Sequence, residues 1–415
     1  MLARRICVSE RKTRLLVVKA AMTVNGGAAR DLLRNLPSII EQFEVRFMSL
    51  NIRDSQRSLI ESMGIEVICP DNQWEPKGGI WNEITAGQER SASVAWNSFE
   101  QVQIAIDWAD VIHLTGGNGS MEFPSLVPKN KPMHLHFLES KPGIHDDISH
   151  LKPNGGGVWR PRLLHILQIW QRRRIESSFQ GFKNNQNWII SANSKFSALN
   201  LKRIYDIDGG FLHPSVDLSE FPRKISSGEA QTFENINIGV AGSYVVTIGR
   251  ISRFKGTYEA VDHIKDSGLN LVVIGGGSDN EKNDLVSYGV ENQVKVKVLS
   301  GLTSETLRSV MRNSAAVIGL AHGEAFGLTP IEAMALGVPP IFVQEGGYCE
   351  TVVDGLNGRL IERRDYDAWT AALSQARDLA NREIWAEAGL ERIDELGLTP
   401  TKHAFRLNEK IVSII

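Results

Sequence analysis

Cysteine is nearly absent from the 415 residues, with only Cys7, Cys69 and Cys349, far apart. They offer no disulfide framework and no paired ligand spacing for a structural metal, so a reduced, cytoplasmic setting is the simplest reading. An excess of charge is missing too. Lysine plus arginine number 46 against 48 aspartate plus glutamate, a net charge of −2. That balance makes no case for a nucleic-acid partner. No apolar run approaches the ~20 residues that a membrane-spanning helix needs. The short run Leu15-Leu-Val-Val18 ends at Lys19, which suits a first buried strand better than a secretion signal. No internal repeat is present.

What is present is alternation. Short apolar runs alternate with helical patterns along the whole chain, which indicates a parallel α/β architecture. In the first half, strands are expected at 15–18, 44–50, 65–69, 110–114, 133–137 and 188–191. In the second half they are expected at 245–249, 270–274, 294–299, 315–319 and 340–343. The length suits two domains, each able to bury its own core. Residues 222–238 are polar and rich in Ser, Glu and Asn, a composition that suits a linker plus an edge. A boundary there gives domains at 1–221 with 398–415, and at 222–397. The glycine-, His- and Asp-rich stretch 143–157 reads as a long loop.

The most informative segment is Glu324-Ala-Phe-Gly-Leu-Thr-Pro-Ile-Glu332, continuing into Ala333-Met-Ala-Leu-Gly337. Two glutamates flank a glycine turn and a helix start. Pro330 suits the first helical position and Gly337 the stop. Backbone N–H groups of Phe326, Gly327 and Leu328 would point out of the helix mouth, where the dipole favours anions. Glu332 is expected on the first turn and Glu324 across the loop. Carboxylates beside a phosphate cradle are placed to accept hydrogen bonds from sugar hydroxyls, so the pocket reads as one for a nucleotide sugar. The bland alternative is an acidic helix start of an ordinary α/β domain.

The segment resembles the Glu-x7-Glu element of retaining glycosyltransferases of the GT-B fold, family 4. Val338-Pro-Pro-Ile-Phe-Val343, Gly346-Gly347, Glu350 and Asp354-Gly-Leu-Asn-Gly358 follow in the family's order. The resemblance implies two Rossmann-like domains facing across a cleft, with the C-terminal helix, 401–415, crossing back to the first. It also implies a metal-independent donor site that needs no cofactor. Thr247-Ile-Gly249-Arg250 and Lys255-Gly256 are similar to the family's strand, Gly-Arg and Lys-Gly elements. There, Arg250 and Lys255 would hold the donor diphosphate and stabilise the departing nucleoside diphosphate. Cationic neutralisation of this kind needs no metal; two solvated surface charges are the alternative. Asn25-Gly26-Gly27-Ala28 is similar to the family's N-terminal glycine loop, facing donor phosphates and acceptor, though Gly-Gly after a strand is equally a tight turn. Leu271-Val-Val-Ile-Gly275-Gly-Gly277 reads as mainly structural.

Family members carry a histidine near the donor sugar, and counting from Pro132 puts that slot at Leu138. His136 with a local shift, Glu139 or His113 could take the role; each could also be an ordinary cleft-lining or hydrogen-bonded group. His134-x-His136 lacks further ligands at metal spacing, so a metal site is rejected. Asp206-Ile-Asp208 reads as turn chemistry. His213-Pro-Ser-Val-Asp217 resembles the family's entry to the hinge with Pro214 and Ser215 substituted.

Residues 160–174 form an apolar helical stretch ending in Arg172, Arg173 and Arg174, with Leu163, Leu164, Leu167 and Trp170 on one face. Such a helix either lies on an anionic bilayer, at the inner membrane face, or turns its apolar side to a core. The function expected from these features is transfer of a hexosyl unit from a UDP- or GDP-hexose to a carbohydrate or lipid-linked acceptor, in glycan or envelope biosynthesis. An epimerase or phosphorylase on the same fold, and a nucleotide-sugar-binding protein without turnover, are the alternatives. Thr115-Gly-Gly-Asn-Gly119 lacks the spacing of a nicotinamide-binding fingerprint.

Overall fold

The structure, a computed structural model, describes residues 11–22, 27–76, 80–139, 145 and 166–415. The strands in the first half are β1 (Arg14–Val18), β2 (Glu44–Met48), β3 (Glu66–Ile68), β4 (Val111–Thr115), β5 (Met133–Phe137), β6 (Trp188–Ala192) and β7 (Gly210–Phe211). They form one sheet in the order β3-β2-β1-β4-β5-β6-β7. The second sheet holds β8 (Tyr244–Ile248), β9 (Asn270–Ile274), β10 (Val296–Leu299), β11 (Ala316–Gly319), β12 (Pro340–Val343) and β13 (Arg359–Ile361). Its order is β10-β9-β8-β11-β12-β13. The pairs β1–β2, β1–β4, β4–β5, β8–β9, β11–β8 and β11–β12 are all parallel. In each sheet the first strand lies between strands reached in opposite directions. That is the doubly wound order, and it leaves a switch point beside β1 and beside β8.

The central strands explain the apolar runs. Leu15, Leu16, Val17 and Val18 of β1 are fully buried, as are Tyr244, Val245 and Val246 of β8. A parallel strand covered on both faces reads as a continuous apolar run without alternation. The chain divides into two compact units, Met1–Leu138 with Arg173–Ser191 and Pro400–Ile415, and Glu139–Arg172 with Ala192–Thr399. The last helix, Pro400–Val412, is therefore part of the first unit. It buries His403, Ala404, Leu407 and Ile411 and packs against the helix Gly27–Gln42.

The structure corrects several expectations. Residues 222–238 are not a linker, because Ser227–Ile236 is a helix capped by the Ser226 side chain on the Glu229 amide. Glu229 is buried and takes Arg308 at 2.8 Å and Arg312 at 3.1 Å. Polar composition masked a buried ion triad, whose interruption would cost about 3–5 kcal/mol. Two strands escaped the apolar-run criterion. β7 has only two residues, both exposed, and β13 is an edge strand of three. Pro330 falls at the third position of the helix Leu328–Leu336, not the first, and Glu332 at the fifth, a turn deeper than expected. Gly337 stops that helix as expected, with φ 73°. The loop reading for 143–157 lies outside the described residues apart from His145, as do residues 160–165 of the basic stretch.

Candidate donor site

Two loop–helix junctions of the second unit meet at its sheet's switch point. After β8 the chain turns at Gly249 (φ 149°), presents Arg250, and returns through Lys255 into the helix Thr257–Ile264, whose N-cap is Gly256 at φ 66°. A Cβ on Gly256 would lie 2.2 Å from the Leu320 carbonyl oxygen, so only glycine lets this turn touch the segment after β11. That segment carries Glu324, then Gly327 (φ 87°) as N-cap of Leu328–Leu336. Lys255 Nζ donates to Glu324 Oε2 at 2.8 Å.

The Lys255–Glu324 pair shapes the local electrostatics. Burial alone would lower the Lys255 pKa, but the Glu324 charge and hydrogen bond outweigh it and hold the ammonium above its ordinary value. Glu139 is exposed as a residue, yet the protein around its carboxyl pushes its pKa up. The Glu324 charge pushes it further, and Lys255 opposes both. The amides of Phe326, Gly327 and Leu328 donate no hydrogen bond among the described residues. Unspent donors at a helix N-terminus, beside a lysine, are suited to an anion.

Neighbouring segments hold this loop. The Gly347 amide donates to the Glu324 carbonyl at 2.7 Å, and a Cβ on Gly346 would lie 2.6 Å from the same oxygen. The hydroxyl of Ser194 donates to the Ala325 carbonyl. Glu350 accepts from the amides of Lys195 and Phe196 at 3.0 and 2.7 Å and faces His213 Nε2 at 3.2 Å. The run Gly346-Gly347 and Glu350 thus buttresses the Glu324 loop. Gly275 is structural as expected, since a Cβ there would lie 1.8 Å from the Gly249 carbonyl oxygen.

Lys255, Glu324, Gly249, Phe326, Gly327, Leu328 and Glu332 belong to one unit, and of the side chains Lys255 and Glu324 touch. Phe326 and Glu332 are buried. Arg250 belongs to the same unit but is turned outward, 75% exposed and 3.9 Å from Glu281. Gly27 opens a helix of the other unit, and Gly26 lies outside the described residues.

His136 also lies in that other unit, inside a buried polar cluster that sequence reading saw only in part. His113 Nδ1 and His134 Nδ1 are 2.9 Å apart, and His134 Nε2 is 2.9 Å from Ser191 Oγ. Burial lowers His113 to about 3 and His134 well below the usual range, so both are neutral at neutral pH. His113 is a core histidine. His136 lies between His113, near-parallel with ring centroids 6.3 Å apart, and His403 of the last helix, tilted by 59° at 5.7 Å. Its strand neighbour Thr115 is buried, with a hydroxyl that finds no partner among the described residues. Lys19, the residue after β1, is buried, donates to the Gly116 carbonyl at 3.0 Å, and is lowered by burial to about 8. No residue spacing advertised Lys19 or Thr115; Thr115 meets His136 through strand register, and Lys19 reaches the Gly116 carbonyl from the other side of β4. Among the described residues no group of His, Cys, Asp and Glu could hold a metal ion. Asp206 and Asp208 share Lys202 at a helix end, the turn chemistry expected of them.

In the basic stretch, Ile166, Leu167, Ile169 and Trp170 are exposed, while Arg174 pairs with Glu122 at 2.9 Å. No helix among the described residues is long and apolar enough to cross a membrane.

Comparison with known proteins agrees with this geometry. The chain superposes on the structure of Anabaena HepE in complex with UDP and glucose with a TM-score of 0.67, at 15% identity, covering 97% of this chain and 100% of that one. It superposes on a glycosyltransferase from Rickettsia africae with a TM-score of 0.68, at 14% identity, covering 97% and 98%. At such identities the likeness concerns the fold, and that fold is GT-B, two Rossmann-like domains with parallel sheets. A D-inositol 3-phosphate glycosyltransferase from Xylanimonas cellulosilytica is 29% identical over 49% of this chain and 55% of its own length. One from Corynebacterium kroppenstedtii is 27% identical over 53% and 50%. The chain thus spans about half the length of these curated relatives. Residues 230–392 match the glycosyl transferases group 1 family, and this match, with the two-sheet fold, supports a group 1 glycosyltransferase.

Proposed function

We propose that the protein is a retaining glycosyltransferase of family 4 that moves a hexosyl unit from a nucleoside-diphosphate sugar to a hydroxyl acceptor. The observation that carries this reading is the Lys255–Glu324 pair set beside the unspent amides of Phe326, Gly327 and Leu328. Amides and ammonium receive the diphosphate, and Arg250 adds its charge on closing over it. Glu324 accepts hydrogen bonds from the sugar hydroxyls, and Glu332 serves the ribose. The bond between the anomeric carbon and the diphosphate oxygen breaks. The acceptor oxygen bonds to the same face of that carbon, and its proton passes to the departing diphosphate. Preorganised donors aimed at the charge developing on that leaving group supply the acceleration. That HepE was crystallised with UDP and glucose, and that the curated relatives are named for inositol phosphate, make UDP-hexoses and phosphorylated polyols the first donor and acceptor to try.

One panel tests the proposal. Purified protein is given UDP-glucose, UDP-N-acetylglucosamine, UDP-galactose and GDP-mannose, with and without inositol phosphate, sugar and glycolipid acceptors and with and without EDTA. Transfer with retained anomeric configuration, insensitive to EDTA, is expected. Inversion would refute retention, and full dependence on added Mn²⁺ or Mg²⁺ would refute a metal-free site. Donor turnover without an acceptor would favour an epimerase. Binding without turnover across a full acceptor range would favour a binding protein.

A lipid-linked acceptor is the membrane version of the same proposal, motivated by the exposed Ile166, Leu167, Ile169 and Trp170 beside Arg172 and Arg173. Sedimentation with anionic vesicles, lost on changing Arg172 and Arg173 to Gln, is expected, since each basic residue contributes about 1 kcal/mol at such a surface. Wild-type protein that stays in the supernatant would remove the membrane from the proposal.

A further inference from the structure

Arg363 follows β13, far in sequence from Lys255 and Glu324, and belongs to none of the motifs that point to a donor site. Its guanidinium nevertheless joins the segments that build that site. Nε and Nη2 take both carboxylate oxygens of Glu345 at 2.9 and 2.7 Å. Nη1 donates to the Leu320 carbonyl at 2.8 Å and to Glu259. Glu259 sits on the first turn of the helix that Lys255 and Gly256 lead into, and its other oxygen is 2.9 Å from His322 Nε2. The His322 amide donates to the Phe254 carbonyl at 2.8 Å. The cluster therefore ties residues 254–259, which carry Lys255, to residues 320–324, which carry Glu324. It also ties in Glu345, next to the glycine pair that supports the Glu324 carbonyl.

The chemistry is that of a fixed joint. A planar guanidinium engaging a carboxylate through two parallel bonds holds direction as well as distance, which a lysine ammonium cannot do. Arg363, Glu259 and His322 are largely buried, with side chains 15%, 12% and 14% exposed, so that part of the joint is screened little by water, while Glu345 is 38% exposed. Burial opposes ionisation of Glu259, but the His322 bond and the Arg363 charge overcome it and hold its pKa below the usual range.

We propose that Arg363 is a positioning residue of the donor site, clamping the Lys255 loop onto the Glu324 loop so that ammonium, carboxylate and helix amides keep the spacing a nucleoside diphosphate requires. The proposal rests on the donor-site reading above and adds the part that holds it together.

The test joins two measurements on full-length wild type, Arg363→Met, Arg363→Lys and Lys255→Ala. The first is calorimetric titration with UDP and with GDP, the tighter of the two in wild type then standing for UDP below. The second is hydrogen exchange without ligand, read over 250–257 and 320–328, with the helices Leu379–Leu396 and Gly27–Gln42 as references. Arg363→Met should weaken UDP by about 10-fold or more, the scale of losing a group that orients a binding residue. Both loops should exchange faster while the two reference helices do not. Arg363→Lys, which keeps the charge and loses the fork, should restore part of the affinity. Wild-type affinity with unchanged loop exchange in Arg363→Met overturns the clamp. So does faster exchange throughout the unit, including Leu379–Leu396, because that describes general stability. If wild type binds neither UDP nor GDP, or Lys255→Ala binds the preferred one as well as wild type does, the donor-site reading fails instead, and the exchange arm still decides whether Arg363 couples the loops.

Discussion

Replacing Lys255 by Ala should lower glycosyl transfer at least ~100-fold, the scale of removing one preorganised electrostatic contact to a developing charge. Lys255 touches Glu324, the first carboxylate of the Glu-x7-Glu element, at 2.8 Å. Arg250 stands apart at 75% exposure, so its loss should cost less. The measurement is turnover with the best donor of the panel, beside UDP affinity and thermal unfolding of each variant. A Lys255→Ala protein that folds, binds UDP normally and turns over within a few-fold of wild type would remove Lys255 from the site.

Glu324→Gln should separate chemistry from binding. Transfer should fall ~100-fold, because the carboxylate is assigned to the sugar, while UDP, which has no hexose, should lose far less affinity. A second consequence concerns pH. In wild type the Glu324 charge and hydrogen bond raise Lys255 above its ordinary value of 10.5 against the pull of burial. A folded-state pKa above the unfolded one means that the lysine's contribution is complete below the unfolded value and fades as pH rises through the folded one. With Gln at 324 the larger raising charge is gone, Glu139 still raises the lysine and burial still lowers it, so the alkaline loss of UDP affinity should begin at lower pH than in wild type. Titrations between neutral and strongly alkaline pH decide it. Superimposable curves would mean that Glu324 does not govern the ionisation of Lys255.

How much of this was legible beforehand depended on distance along the chain. The runs at 133–137, 270–274 and 340–343 became β5, β9 and β12 with those bounds; in β9 and β12 a strand buried on both faces writes its apolarity into consecutive residues, whereas β5 buries His134 and His136 among its apolar residues. β13 did not register, being a three-residue edge of Arg, Leu and Ile. Ser227–Ile236 looked like a linker because its stabilising partners, Arg308 and Arg312, lie some eighty residues away. The Glu-x7-Glu element was readable because its turn glycine, helix start and stop are contiguous. The joint at Arg363 was not, since its contact with Glu259 spans 104 residues.

By itself, then, the sequence determined the local matter: which buried segments are the central strands, where glycine must turn the chain, and that a helix mouth would carry unspent amides between two glutamates. Those properties follow from side-chain periodicity and backbone sterics within about a dozen residues. Only the tertiary structure decided which charges meet. Strand order brings the end of β8 against the end of β11, and so sets Lys255 on Glu324 across 69 residues and leaves Arg250 outside. In the other unit strand register likewise sets buried Thr115 beside buried His136, and strand order brings buried Lys19 to the Gly116 carbonyl. Ionisation and hydrogen bonding depend on separations of a few ångströms in space, and strand order, not chain order, sets those separations.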